Sequence, residues 1–102
     1  LVLAEHLNDA SEFAEAWEWM EGAANAGYAD AQVAFGMWYR WGECGIPRDS
    51  VSAVHWFTKA AEQGHGQAQC VLGLSYDKGE GVAQDSSRAV HWFTKAAEQG
   101  EE

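Results

Sequence analysis

The stretch Ala53-Val54-His55-Trp56-Phe57-Thr58-Lys59-Ala60-Ala61-Glu62-Gln63-Gly64 returns unchanged 36 residues later as Ala89–Gly100. A period of this length is that of stacked helical pairs. A looser copy, Ala16-Trp17-Glu18-Trp19-Met20-Glu21-Gly22-Ala23-Ala24-Asn25-Ala26-Gly27, precedes them at an offset of 37. It puts Trp19, Trp56 and Trp92 in register, and likewise Gly27, Gly64 and Gly100. Between these strings a second motif repeats: Ala31-Gln32-Val33-Ala34-Phe35-Gly36-Met37-Trp38-Tyr39 matches Ala68-Gln69-Cys70-Val71-Leu72-Gly73-Leu74-Ser75-Tyr76.

Both motifs read as helices. Ala53, Trp56, Phe57, Ala60 and Ala61 fall at i, i+3, i+4, i+7 and i+8, a continuous helical stripe. Asp49 and Asp85 precede the stripes as N-caps, and Gly64 and Gly100 follow as C′ residues. Pro47 stops the preceding turn just ahead of the Asp49 cap. In the other motif Ala31, Phe35 and Tyr39 share a face, and Gly36 lets a partner helix approach closely. Gly42 and Gly79 end these helices. The pattern predicts a partial helix near 2–8 and helices near 10–26, 29–41, 49–63, 66–78 and 85–99. Short connections make neighbours antiparallel. One domain over 1–102 is expected, with a degenerate N-terminal helix pair at 1–27, a repeat at 28–64 and a repeat at 65–100. No pair has enough apolar surface to stand alone, so stacking must supply the core.

The formal charge is −10, with six Lys and Arg among 102 residues. Such a chain repels nucleic-acid backbones and anionic bilayers, which argues against nucleic-acid binding. The apolar runs are too short for membrane insertion. No basic residue precedes Arg40, whereas Glu5, Asp9, Glu12, Glu15, Glu18, Glu21 and Asp30 do. A basic protein or peptide is thus favoured over an acidic one as partner. An acidic face that only keeps the chain in solution fits the same residues equally well.

The pattern resembles the Sel1-like repeat family, a relative of the tetratricopeptide repeat. The resemblance rests on Ala68-Gln69, Leu72-Gly73, Tyr76, Gly79, Gly81-Val82, Asp85, Ala89, Trp92 and Lys95-Ala96-Ala97-Glu98-Gln99-Gly100, and the same frame runs from Ala31 to Gly64. It departs where Gly42-Glu43-Cys44-Gly45-Ile46 holds one residue more than Gly79-Glu80-Gly81-Val82. The resemblance implies an all-α fold, a right-handed α-solenoid of antiparallel helix pairs. It also implies an adaptor or scaffold role, with no catalytic residues and no cofactor.

Searched for chemistry directly, the chain offers little. His55 and His91 take the same position on successive helices, about 10 Å apart. One ion bound at about 2 Å cannot use both. His6 and His65 have no ligand-like spacing. Cys44 and Cys70 project to opposite ends of neighbouring helices, which predicts no disulfide between them. Gly79-Glu80-Gly81 is the repeat turn, with no Gly-Lys-Ser after it to cradle phosphate. No nucleophile–base pair is recognisable, so an enzyme is not expected.

The remaining signal is aromatic. Phe35/Leu72, Gly36/Gly73 and Tyr39/Tyr76 keep their character between copies, whereas Val33/Cys70, Met37/Leu74, Trp38/Ser75, Arg40/Asp77 and Trp41/Lys78 vary. Val33, Met37 and Trp41 make a stripe of their own on a helix that lines the concave surface in related folds. Val33, Met37, Trp38, Arg40, Trp41, Leu74 and Lys78 are therefore the candidate partner-binding residues, because Trp and Arg anchor interfaces and Met adapts to them. The alternative is that they pack against the helix near 10–26, whose Trp17 and Met20 need cover. Trp38 beside Arg40 and Trp41 favours exposure.

Three functions follow in order. The first is a non-catalytic scaffold holding a peptide or partner domain in its concave groove. The second is an acidic inhibitor or immunity-type protein that caps a basic effector. The third, a cell-wall or β-lactam hydrolase, has no visible nucleophile.

Overall fold

The computed structural model describes residues 10–42 and 47–99. Five helices run through them: α1 (Ala10–Asn25), α2 (Ala29–Trp41), α3 (Ser50–Glu62), α4 (Gly66–Lys78) and α5 (Ser86–Glu98). Within the described residues each expected helix is present, its ends displaced by a single residue at most. The segment expected near 2–8, Cys44 and the Gly100 cap lie outside the described residues.

Local chemistry sets the ends. The Asp49 carboxylate accepts from the Ser52 backbone N–H at 3.2 Å and the Ser52 hydroxyl at 2.8 Å. Asp85 accepts from the Arg88 backbone N–H at 3.1 Å. Each cap satisfies an N–H that a helix start would leave open. The Ser52 hydroxyl, followed by the Ser52 and Val51 N–H groups, holds the Asp49 carboxyl below its ordinary 3.8 against a small opposing effect of burial. Gly42 (φ 71°) and Gly79 (φ 70°) close α2 and α4 in the left-handed conformation that disfavours a Cβ.

One cap was not legible. His65 precedes α4, and its Nδ1 accepts from the Ala68 N–H at 3.2 Å. Nε2 therefore carries the ring proton and donates to Asp30 at 2.9 Å. That bond ties the start of α4 to the start of α2, one repeat earlier.

Helices adjacent in sequence pack on one another, and the molecule extends 50 × 24 × 22 Å. Phe57, fully buried, shares a core with Val33 of α2, with Ala53, Val54, Ala60 and Ala61 of α3, and with Ala68, Val71 and Leu72 of α4. A second cluster joins Ala24 of α1 to Ala31 and Phe35 of α2, covered by Trp17, Met20, Trp38 and Trp56. The close approaches fall at Gly36, as expected, and at its counterpart Gly73. A Cβ on Gly36 would lie 2.6 Å from the Phe57 ring, and one on Gly73 would lie 2.8 Å from Phe93.

The aromatic pair Trp56-Phe57 divides the work differently from the stripe reading. Phe57 fills the junction within the helix pair. Trp56 is half-buried and meets Phe35 edge-on, ring centroids 5.3 Å apart. At i+3 and i+4 both side chains fit one stripe, and only the neighbouring helix decides which enters the core.

Buried glutamines link the repeats. Gln32 Nε2 donates to the Ala24 carbonyl at 3.1 Å, and Gln63 Nε2 donates to Gln32 Oε1 at 2.8 Å. One repeat on, Gln69 Nε2 donates to the Ala61 carbonyl at 3.0 Å and Gln99 Nε2 to Gln69 Oε1 at 2.6 Å. Each inner glutamine thus satisfies a carbonyl at the end of the preceding helix and is held by the next helix's C-cap.

Candidate partner-binding face

The seven candidate residues sit on α2 and α4, and the fold treats them unequally. Val33 is buried in the Phe57 core, and Met37 packs against its edge. Trp38 does not stand free. Its ring stacks on Trp17 at 5.9 Å with an interplanar angle of 18°, and it covers Phe35 at 5.9 Å. For Trp38 the packing alternative holds, because α1 brings Trp17 over the same face of α2. Ser75, the counterpart of Trp38, is buried on α4. Leu74 is half-buried and Lys78 exposed.

Trp41 differs. It lies in the last turn of α2 and is 60% exposed. The Arg40 guanidinium lies over its ring, 5.0 Å from the centroid. Arg40 also reaches the Glu80 carboxylate at 3.6 Å, and Arg48 binds the same carboxylate at 3.0 Å. Glu80 stands in the turn after α4. The next residue, Gly81, lies against the Ser50 carbonyl at the start of α3, so closely that no Cβ would fit. The ring of Trp41 is therefore braced from one side by a cation that is itself tied to the next repeat. Such bracing reduces the side-chain entropy lost when a ring docks.

The other candidates are quieter. His55 and His91 are exposed, each ring edge-on to its neighbouring Trp at 5.2 and 5.0 Å. Among the described residues no group of three or more His, Cys, Asp or Glu could hold a metal ion. No described helix is long and apolar enough to cross a membrane. A cavity of about 370 Å³ opens between α3 and α5, lined by Ala61, Glu62, Trp92, Lys95 and Glu98 among others. One of about 470 Å³ lies on the outer side of α1, against Trp19, Gly22, Ala23, Ala26 and Tyr28.

Alternating helices, tied by repeated caps and glutamines, define a helical-repeat solenoid. The Sel1 repeat model matches residues 12–28, 29–65 and 66–101, and the chain belongs to the Sel1 repeat family. It is similar in structure to c5321, a protective antigen present in uropathogenic Escherichia coli strains that displays an SLR fold (TM-score 0.85, 42% identity). That match covers 89% of this chain and 19% of the antigen. It is similar also to a Sel1 repeat protein from Oxalobacter formigenes (TM-score 0.84, 41% identity, 86% of this chain and 65% of that one). The cysteine-rich protein B of Helicobacter pylori shares the fold at 24% identity, with a TM-score of 0.79 over 83% of this chain and 63% of that one. The chain thus spans less than two thirds of each of these proteins. No curated protein matches it.

Proposed function

We propose that the chain is a non-catalytic protein-interaction scaffold that captures a peptide or partner domain on the face formed by α2 and α4, with Trp41 as the anchor. The observation that carries this reading is the exposed Trp41 ring braced by Arg40. An exposed tryptophan does little for a monomer's stability and contributes much when a partner covers it. Met37 and Leu74, half-buried at matching positions of α2 and α4, extend the contact, and Lys78 offers a cation at its rim. The net charge of −10 would draw a basic partner from a distance, and Glu80 holds Arg40 and Arg48 in ion pairs beside Trp41. Hydrogen exchange on the complex tests the placement. The last turns of α2 and α4 should gain protection on binding. Protection confined to α1 would move the site to the acidic N-terminal helix.

A further inference from the structure

The Trp41 ring is braced by Arg40, and Arg40 is itself in need of support. Its guanidinium lies 5.0 Å from the ring centroid, and its side chain is only 16% exposed. A guanidinium held that far from water needs a counter-charge, because a buried charge without one is strongly destabilising. Glu80 supplies it, with Oε1 at 3.6 Å from Arg40. The other carboxylate oxygen, Oε2, accepts from Arg48 at 3.0 Å and is held there.

The backbone beneath Glu80 is fixed as well. Its N–H donates to the Ser75 carbonyl at 2.9 Å at the end of α4. Gly79 before it is left-handed, and Gly81 after it is wedged against the Ser50 carbonyl. A turn seated between two repeats therefore presents the carboxylate. The repeat frame does not ask for this arrangement. One repeat on, Asp77 stands for Arg40, Lys78 for Trp41 and Gln84 for Arg48. Asp77 would repel a carboxylate and Lys78 offers no ring, yet α5 packs on α4 all the same.

We propose that Glu80 is a positioning residue for Trp41: from the next repeat, and through Arg40, it holds the ring ordered and ready for a partner. Without the charge of Glu80, Arg40 gains more from water than from the ring and leaves it, and the ring loses its brace. The order of the anchor is then tied to the junction between two repeats, so a change at that junction reaches the binding face without touching it. The benefit to a partner rests on the reading of Trp41 as the anchor; the order of the ring does not.

The test is NMR relaxation of the indole N–H groups in the purified chain without a partner, which reports picosecond-to-nanosecond motion. Trp41→Phe identifies the Trp41 signal. In the wild type its order parameter should lie close to those of Trp17 and Trp38, which stack on each other. Glu80→Gln keeps the size of the side chain and removes its charge. In that variant the Trp41 value should fall below about 0.6, the flexible range, while Trp17, Trp38 and the backbone of Gly79 and Gly81 stay as they were. Arg40→Met should loosen the ring as much, and Glu80→Gln added to it should change nothing more. An unmoved Trp41 in Glu80→Gln overturns the proposal. So does further loosening in the double variant, which would carry the effect through the turn instead of Arg40. Loss of order at Gly79 and Gly81 along with the ring also overturns it, by making Glu80 a strut of the turn. Because the free chain is measured, an unmoved ring leaves the anchor reading standing, and a Trp41→Ala chain that binds its partner normally leaves the response of the ring standing.

Discussion

Gln63 donates to Gln32 at 2.8 Å, and Gln99 repeats the bond to Gln69 at 2.6 Å. The inner glutamine of each pair is buried and also holds a carbonyl of the preceding helix. Gln32→Ala leaves the Ala24 carbonyl without its side-chain donor and should cost about 1–3 kcal/mol. Gln63→Ala removes only the outer bond and should cost about 0.5–1.5 kcal/mol. Urea midpoints at constant slope measure both. An equal loss would mean that the Ala24 bond contributes nothing.

Because one sequence occupies two environments, Phe57 and Phe93 form a matched pair. Phe57→Ala opens a cavity in a closed core and should cost about 3–5 kcal/mol. Phe93→Ala, already partly in water, should cost no more than about 2 kcal/mol. Reversal of that order under urea would contradict the placement of α4 over α3.

Two helical glycines should respond oppositely to alanine. At Gly36 the new methyl meets the Phe57 ring, so Gly36→Ala should destabilise by about 1–3 kcal/mol. At Gly22 nothing lies within 4 Å, and Gly22→Ala should stabilise by about 0.5–1 kcal/mol through the unfolded chain. Thermal melts decide both signs.

The Asp49 carboxyl is held below its ordinary 3.8, chiefly by the Ser52 hydroxyl. A depressed folded-state value contributes stability above the unfolded value and loses it as pH falls through the folded one. The wild type should therefore lose melting temperature below about pH 4 more steeply than Ser52→Ala. Identical acid limbs would show that the hydroxyl does not hold the charge.

The helices were legible because their punctuation is local. Asp49, Asp85, Gly42 and Gly79 act within one turn, and the apolar stripes repeat with the chain. The family signature followed from the same residues. What escaped was set by neighbours in space. Identical strings cannot reveal that Phe57 is covered and Phe93 open. Trp38 and Trp41, three residues apart, differ only because Trp17 of α1 reaches the first and not the second. The His65 cap was missed because histidine rarely serves there, and its second nitrogen needed Asp30 from another helix. The glutamines stood in plain view at matching positions, and recurrence at 32/69 and 63/99 was the signal that could have paired them.

The most direct test of the scaffold reading is a binding titration of a captured partner against wild type, Trp41→Ala and Glu62→Ala. Trp41 is exposed, so its alanine variant should melt like the wild type, whereas Trp38→Ala should melt lower through loss of the Trp17 stack. The account predicts that Trp41→Ala weakens binding by at least about 30-fold, the effect of removing an interface anchor, while Glu62→Ala binds as the wild type does. Unchanged affinity in Trp41→Ala would contradict it.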